Sequence, residues 1–239
     1  MGVQSVDRAI SLLEVIAGRP GGLVDVAERA NLPVSTTARL LSTLEGRELI
    51  SRDPGGAYRA GIGLQRITGS GVPTITIQDA AHADVAALAD SLGEAAGLSV
   101  PIGDQTLTVL SIDAPKPVRA EDWTGHRWAI TGGGSGAVMM ANWPELRAET
   151  VLKGIPESER QNVRDEMAAA RRAGVSWSRD SYVEGLTSVA APIRTSGGVA
   201  VAAVMGYGPT YRFPAKGKMR TVEREVIDAA GRISKKLEV

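Results

Sequence analysis

The residues best suited to chemistry lie in one run, Gly132-Gly133-Gly134-Ser135-Gly136-Ala137, and three kinds of site use such a spacing. As G-x-S-x-A it is a nucleophile elbow, whose serine needs an acid and then a histidine downstream. Both histidines, His82 and His126, precede Ser135, so that order is not met. As G-x-G-x-x-A it is a dinucleotide fingerprint, which must follow a full strand and open a long crossover helix. Trp143-Pro144 ends the following helix after roughly two turns, too short for that role. As a glycine loop feeding a short helix, it presents backbone N–H groups to a small carboxylate. This third reading fits best, beside the plainer one in which the glycines only make a tight bend.

A second constellation lies near the start of the chain. Ser35, Thr36, Thr37, Arg39, Ser42, Thr43 and Arg47 interleave with the apolar positions Ala38, Leu40, Leu41 and Leu44. Small hydroxyls and a guanidinium fork on a helix surface suit close approach to a DNA major groove. The same hydroxyls also suit a helix cap, with Arg39 in solvent. Residue types alone leave both readings open.

Composition narrows the field. The 239 residues carry 27 basic and 27 acidic side chains, two histidines and no cysteine. Without cysteine there is no disulfide, iron–sulfur cluster, thiolate zinc site or cysteine nucleophile, and two histidines cannot make a three-histidine metal site. No cofactor or metal is expected. The longest apolar run, Val199 to Met205, is far short of the roughly 18 residues a spanning helix needs. No charged leader precedes an apolar core, so a cytoplasmic location is expected. The zero net charge hides a segregation: residues 1–66 hold eight arginines and no lysine, whereas residues 67–212 are acidic in balance.

The elements that must position these groups follow from periodicity. Residues 5–17 read as a helix, with Val6, Ala9, Ile10, Leu13, Ile16 and Ala17 at three- and four-residue spacing, Ser5 as N-cap and Gly18 as stop. A short helix over about 23–30 follows, then Pro33 opens a third over about 34–45. Leu49 to Arg52 and Ala57 to Arg59 flank Asp53-Pro54-Gly55-Gly56, a hairpin signal. Three short helices and a hairpin are the order of a winged helix-turn-helix, in which Arg52, Tyr58 and Arg59 on the wing reach phosphates. Thr68 to Pro73 reads as a linker, and Ile77 to Leu92 as a helix with Ala81, Val85, Leu88, Ala89 and Leu92 on one side. Strands over 98–102, 106–112, 190–193 and 199–205 and helices over 157–172 and 222–237 interleave without a βαβ repeat. That pattern indicates an α+β sensor sheet of the GAF or PAS kind.

Three stretches carry a likeness to a known family: Val3-Gln4-Ser5-Val6-Asp7-Arg8-Ala9, Leu32 through Leu44, and Tyr58-Arg59-Ala60-Gly61. Together they resemble the IclR family of bacterial transcriptional regulators, and Gly174 to Pro192 with Gly208-Pro209 resemble its effector-binding domain. Glu48 stands where the family usually has glycine before the wing, and Ala60 where it has leucine. The resemblance implies residues 1–62 as a DNA-binding winged helix-turn-helix, 63–76 as linker and 77–239 as a C-terminal α/β effector-binding and oligomerisation domain. It implies a regulator, expected to be a repressor, that binds double-stranded operator DNA as a homodimer or homotetramer and senses a small organic acid. The family's pocket positions fall on Ala120, Gly134, Ser135, Ser178, Leu186, Ser188, Met205 and Tyr207, with loop amides at Gly134 and Ser135 for a carboxylate. Met205 and Tyr207 in place of serines, and Ser178 in place of an aspartate, imply a larger and flatter acid than pyruvate. An aromatic carboxylate is expected, with Trp123 or Trp128 as stacking surface. The alternative is a small-acid-processing enzyme with a helical appendage, set back by the absence of a base–nucleophile pair.

Overall fold

The computed structural model describes residues 3–61, 63, 64, 67, 77–114 and 122–237. The chain divides into two compact units, Met1–Thr74 and Ile75–Val239. Among the described residues, no helix is long and apolar enough to cross a membrane.

In the first unit, helices α1 (Gln4–Gly18), α2 (Leu23–Arg29) and α3 (Val34–Gly46) precede strands β1 (Ile50–Arg52) and β2 (Tyr58–Ala60). Their apolar stripes converge on Leu12, Ile16, Val26, Leu41, Leu44, Ile50 and Tyr58, each buried. Burying a side chain of this size contributes about 1.5–3 kcal/mol. Ser5 does not cap α1. The N-cap is Val3, without a side-chain bond, and Ser5 lies inside the first turn. Asn31 ends α2 at φ 51°, a conformation that asparagine tolerates better than most side chains. Arg29 ties α2 to α1, with Nη1 donating to the Val15 carbonyl at 2.9 Å and Nη2 to Asp25 at 2.6 Å. Tyr58 and Gly21 exchange backbone hydrogen bonds of 2.8 and 3.2 Å, so the wing is sewn to the α1–α2 turn. Glu48 keeps the bend into β1 at φ 58°, the left-handed conformation that a glycine adopts without strain.

The second unit contains α4 (Ile77–Leu92), β3 (Ala95–Ile102), β4 (Gln105–Ile112), β5 (Arg127–Ala129), α5 (Gly134–Met140) and α6 (Glu145–Lys153). It continues through α7 (Glu157–Ala173), β6 (Ser176–Arg179), β7 (Leu186–Arg194), β8 (Ala200–Pro209) and α8 (Met219–Lys236). The six strands form one sheet in the order β5-β4-β3-β8-β7-β6, and every pair is antiparallel. Strand alternation sends consecutive residues to opposite faces. Val189 joins α4 and α8 in one apolar cluster, whereas Ala190 joins α5, α6 and α7 in another. Asp84 of α4 clamps α8 by accepting from Arg232 and Lys236, both at 2.6 Å. Periodicity does not reveal strands β5 and β6 or helix α6, since three- and four-residue edge pairings and a nine-residue helix carry little pattern.

Candidate functional site

Helix α3 presents two kinds of surface. Ser35, Arg39, Ser42, Thr43 and Arg47 are exposed and Thr36 is half-buried, so a hydroxyl-and-guanidinium face is open to solvent. None of these hydroxyls caps the helix, because its N-cap is Pro33 with no side-chain bond. Two expected contacts fall on the other side. Thr37 is fully buried, its Oγ1 without a hydrogen-bond partner among the described residues. Tyr58 is 4% exposed and belongs to the core. Both are corrections to the expected DNA-binding set: position 37 lies on the same helical stripe as Leu41 and Leu44. The inward-facing side of β2 claims Tyr58. On the wing, Arg52 lies 4.6 Å from the Tyr58 ring centroid and donates to Glu45 from Nε and Nη2 at 3.2 and 3.3 Å. Arg59 donates to Ser51 Oγ at 3.3 Å. The buried Tyr58 thus acts as a platform that orients Arg52.

In the second unit, a narrow slot opens between the sheet and the β5–α5 segment. Its wall contains Ser99, Thr106, Thr108, Trp123, Trp128, Gly134, Ser135, Tyr182, Leu186, Ser188, Met205 and Tyr207. The slot has a volume of ≈ 40 Å³, room for a few waters, so a ligand with a benzene ring enters only if side chains of the wall move apart. Among the described residues of this wall, no side chain is ionised at neutral pH.

Cross-strand register assembles the floor. Ser188 of β7 pairs with Tyr207 of β8, and Met205 with Gly97 of β3. A bulge opposite Leu98/Ser99 inserts one extra residue into β4, which brings Thr108 and Ser111 to the same face although they are three apart. Ser111 Oγ and the Tyr207 hydroxyl then meet at 2.5 Å. Burial pushes the Tyr207 hydroxyl up to about 12; the Ser111 hydrogen bond opposes this shift, and the charges of Asp113 and Asp122 add to it. Tyr207 is therefore a neutral donor or acceptor at physiological pH.

The glycine run supplies the roof. None of Gly132, Gly133, Gly134 or Gly136 has a positive φ, so a left-handed bend is not their reason. Close approach is. A Cβ on Gly136 would stand 1.6 Å from the Ile130 carbonyl oxygen, one on Gly134 2.7 Å from that of Ser176, and one on Gly133 2.2 Å from the Tyr182 ring. Tyr182 in turn donates to the Ala129 carbonyl at 2.9 Å and packs on Trp128 with centroids 4.8 Å apart. Ser135 Oγ lies 3.4 Å from Met205 Sδ. The first intrahelical bond of α5 runs from Ala137 N to Gly133 O, which leaves the Gly134, Ser135 and Gly136 N–H groups unused by the helix. With only seven residues in α5, these donors act locally rather than through a long helix dipole.

Ser178 sits in the same cross-strand row as Ser188, yet it lines a neighbouring cavity of ≈ 330 Å³ bounded also by Glu166 and Glu223 rather than the slot. Ala120 lies outside the described residues. Ser99, Thr106, Thr108 and Tyr182 escape a reading of the sequence. The alternation of Thr106 and Thr108 on a strand is a readable sign of a shared face; Tyr182 has none, because its contacts with Gly133 and Trp128 are purely tertiary.

A winged helix with an exposed hydroxyl-and-arginine face, joined in one chain to an α+β unit, is the architecture of a DNA-binding transcriptional regulator. Residues 5–54 match the IclR helix-turn-helix domain, and residues 71–235 match the bacterial transcriptional regulator IclR C-terminal domain. The chain belongs to the IclR family and is a regulator rather than an enzyme. It is 29% identical to a helix-turn-helix-type transcriptional regulator of Mycobacterium tuberculosis, over 81% of this chain and 78% of that protein. It is 24% identical to the transcriptional repressor AllR of Klebsiella pneumoniae, over 96% and 91%. A solved IclR homologue from Microbacterium hydrocarbonoxydans, complexed with 4-hydroxybenzoate, shares the fold with a TM-score of 0.58 at 22% identity, covering 98% of each chain.

Proposed function

We propose that this regulator is a repressor that binds a two-part operator as a homodimer and that a small aromatic carboxylate in the slot sets its operator affinity. The observation that carries the ligand class is the wall itself. Trp123, Trp128, Tyr182 and Tyr207 supply flat apolar surface, while Ser135, Ser188 and the loop amides supply neutral donors. The neighbouring cavity, with Glu166 and Glu223, repels an anion. An AllR relative named as a repressor and a structural neighbour that holds 4-hydroxybenzoate support the reading. A single winged helix reads too few base pairs to find one site in a genome, hence the dimer. The ligand acts by binding one arrangement of the protein better than another and shifting its population.

The test is calorimetric titration with benzoate, 4-hydroxybenzoate and pyruvate, paired with gel shifts on the operator. Benzoate-type acids are expected to bind and to change operator affinity, and heat from pyruvate alone would refute the ligand class. On the DNA side, Arg39→Ala is expected to weaken binding and relax base preference, whereas Arg52→Ala weakens it evenly across sequences.

A further inference from the structure

Two polar atoms in the wall of the slot have no hydrogen-bond partner among the described residues although both are buried: Thr108 Oγ1 and Trp123 Nε1. Leaving a buried donor or acceptor unsatisfied is costly, and such groups are rare in native folds. Both belong to one corner of the slot. Thr108 N donates to the His126 carbonyl at 3.0 Å, and Gly125 N donates to the Thr108 carbonyl at 2.8 Å, which holds the turn bearing Trp123 against β4. The Trp123 ring is fixed edge-on to Trp128, with centroids 5.3 Å apart, and to His126, at 5.1 Å. Its indole N–H is thus held by packing rather than by a bond of its own.

We infer that Thr108 and Trp123 form a second polar end of the effector site, one that selects an aromatic carboxylate bearing an oxygen substituent across the ring from its carboxylate. This rests on the proposed aromatic-acid reading and deepens it. The donor inventory sets the chemistry: an indole N–H only donates, so its partner must accept, while a threonine hydroxyl does either. A phenolic hydroxyl accepts from Trp123 and donates to Thr108. A methyl group leaves both unpaired, and an aromatic amine is a poor acceptor for the indole.

The experiment titrates the full chain with benzoate, 4-hydroxybenzoate, 4-methylbenzoate and 4-aminobenzoate, then repeats the series with Thr108→Val and Trp123→Phe, each variant checked by its melting curve. The wild type is expected to bind 4-hydroxybenzoate at least about tenfold more tightly than the methyl isostere, with the ratio falling toward one in both variants. Equal affinity for the hydroxyl and methyl acids in the wild type overturns this inference while leaving the aromatic-acid reading intact. A preference that survives in both variants overturns the assignment to these residues. Failure of every aromatic acid to bind overturns both readings.

Discussion

Replacing Gly136 with alanine tests whether the glycine run is dictated by packing. The new Cβ would lie 1.6 Å from the Ile130 carbonyl oxygen, 2.6 Å from its carbon and 3.0 Å from its Cα, all backbone atoms that no rotamer change can move aside. Ordinary contact begins near 3.4 Å, so α5 must lift away from the β5–α5 loop. Overpacking of this kind costs about 1–3 kcal/mol and sometimes more. Alanine returns at most about 1 kcal/mol of helix propensity, so a net loss of about 2 kcal/mol is expected. Gly231 is the matched control. It lies inside α8, exposed, and an added Cβ there would meet nothing within 4 Å, so Gly231→Ala should gain about 0.5–1 kcal/mol. For a unit of this size, 1 kcal/mol moves the midpoint by roughly 2–4 °C. Thermal melts followed by circular dichroism should therefore place Gly136→Ala roughly 4–8 °C below the wild type and Gly231→Ala slightly above it. If Gly136→Ala melts at or above the wild-type midpoint, close packing is not why the glycine is there.

Three further outcomes are expected. Thr37→Val removes a buried hydroxyl that has no hydrogen-bond partner among the described residues, at nearly constant shape, so it should leave stability unchanged or raise it by up to about 1–3 kcal/mol, with unaltered operator affinity in gel shifts. Lost DNA binding would return Thr37 to the interface. Glu48→Gly should raise the melting temperature of the winged helix by relieving a left-handed backbone worth roughly 1 kcal/mol, and a clear drop would show that the Glu48 side chain contributes more than its backbone strain costs. Tyr207 holds its proton more tightly folded than unfolded. Its contribution to stability is complete below about pH 10 and is lost as pH rises toward about 12, at no more than about 1.4 kcal/mol per pH unit. Tyr207→Phe should flatten that part of the stability curve in denaturant titrations between pH 9 and 12, and an unchanged slope would argue against the burial-driven shift.

How much of this is legible in the chain differs by element. The 3.6-residue stripes of α1, α3, α4 and α8 and the Asp53-Pro54-Gly55-Gly56 hairpin signal are local properties, so helices, wing and the absence of a βαβ repeat can be read directly. The Gly132–Ala137 run also announces a site, but the motif leaves its purpose open between a bend and a ligand loop. Sequence could not say that Thr37 and Tyr58 face inward, because one residue of rotation on a helix or of register on a strand moves a side chain from solvent to core. Nor could it bring Thr108, Ser111 and Tyr207 together: that takes a bulge in β4 and pairing with strands about a hundred residues away. Composition and periodicity determined what kind of elements this regulator has and which chemistries it lacks. Only the tertiary structure decided which glycines touch backbone, which hydroxyls meet, and which two buried polar atoms in the slot lack a partner among the described residues, since each depends on long-range contacts that no local pattern encodes.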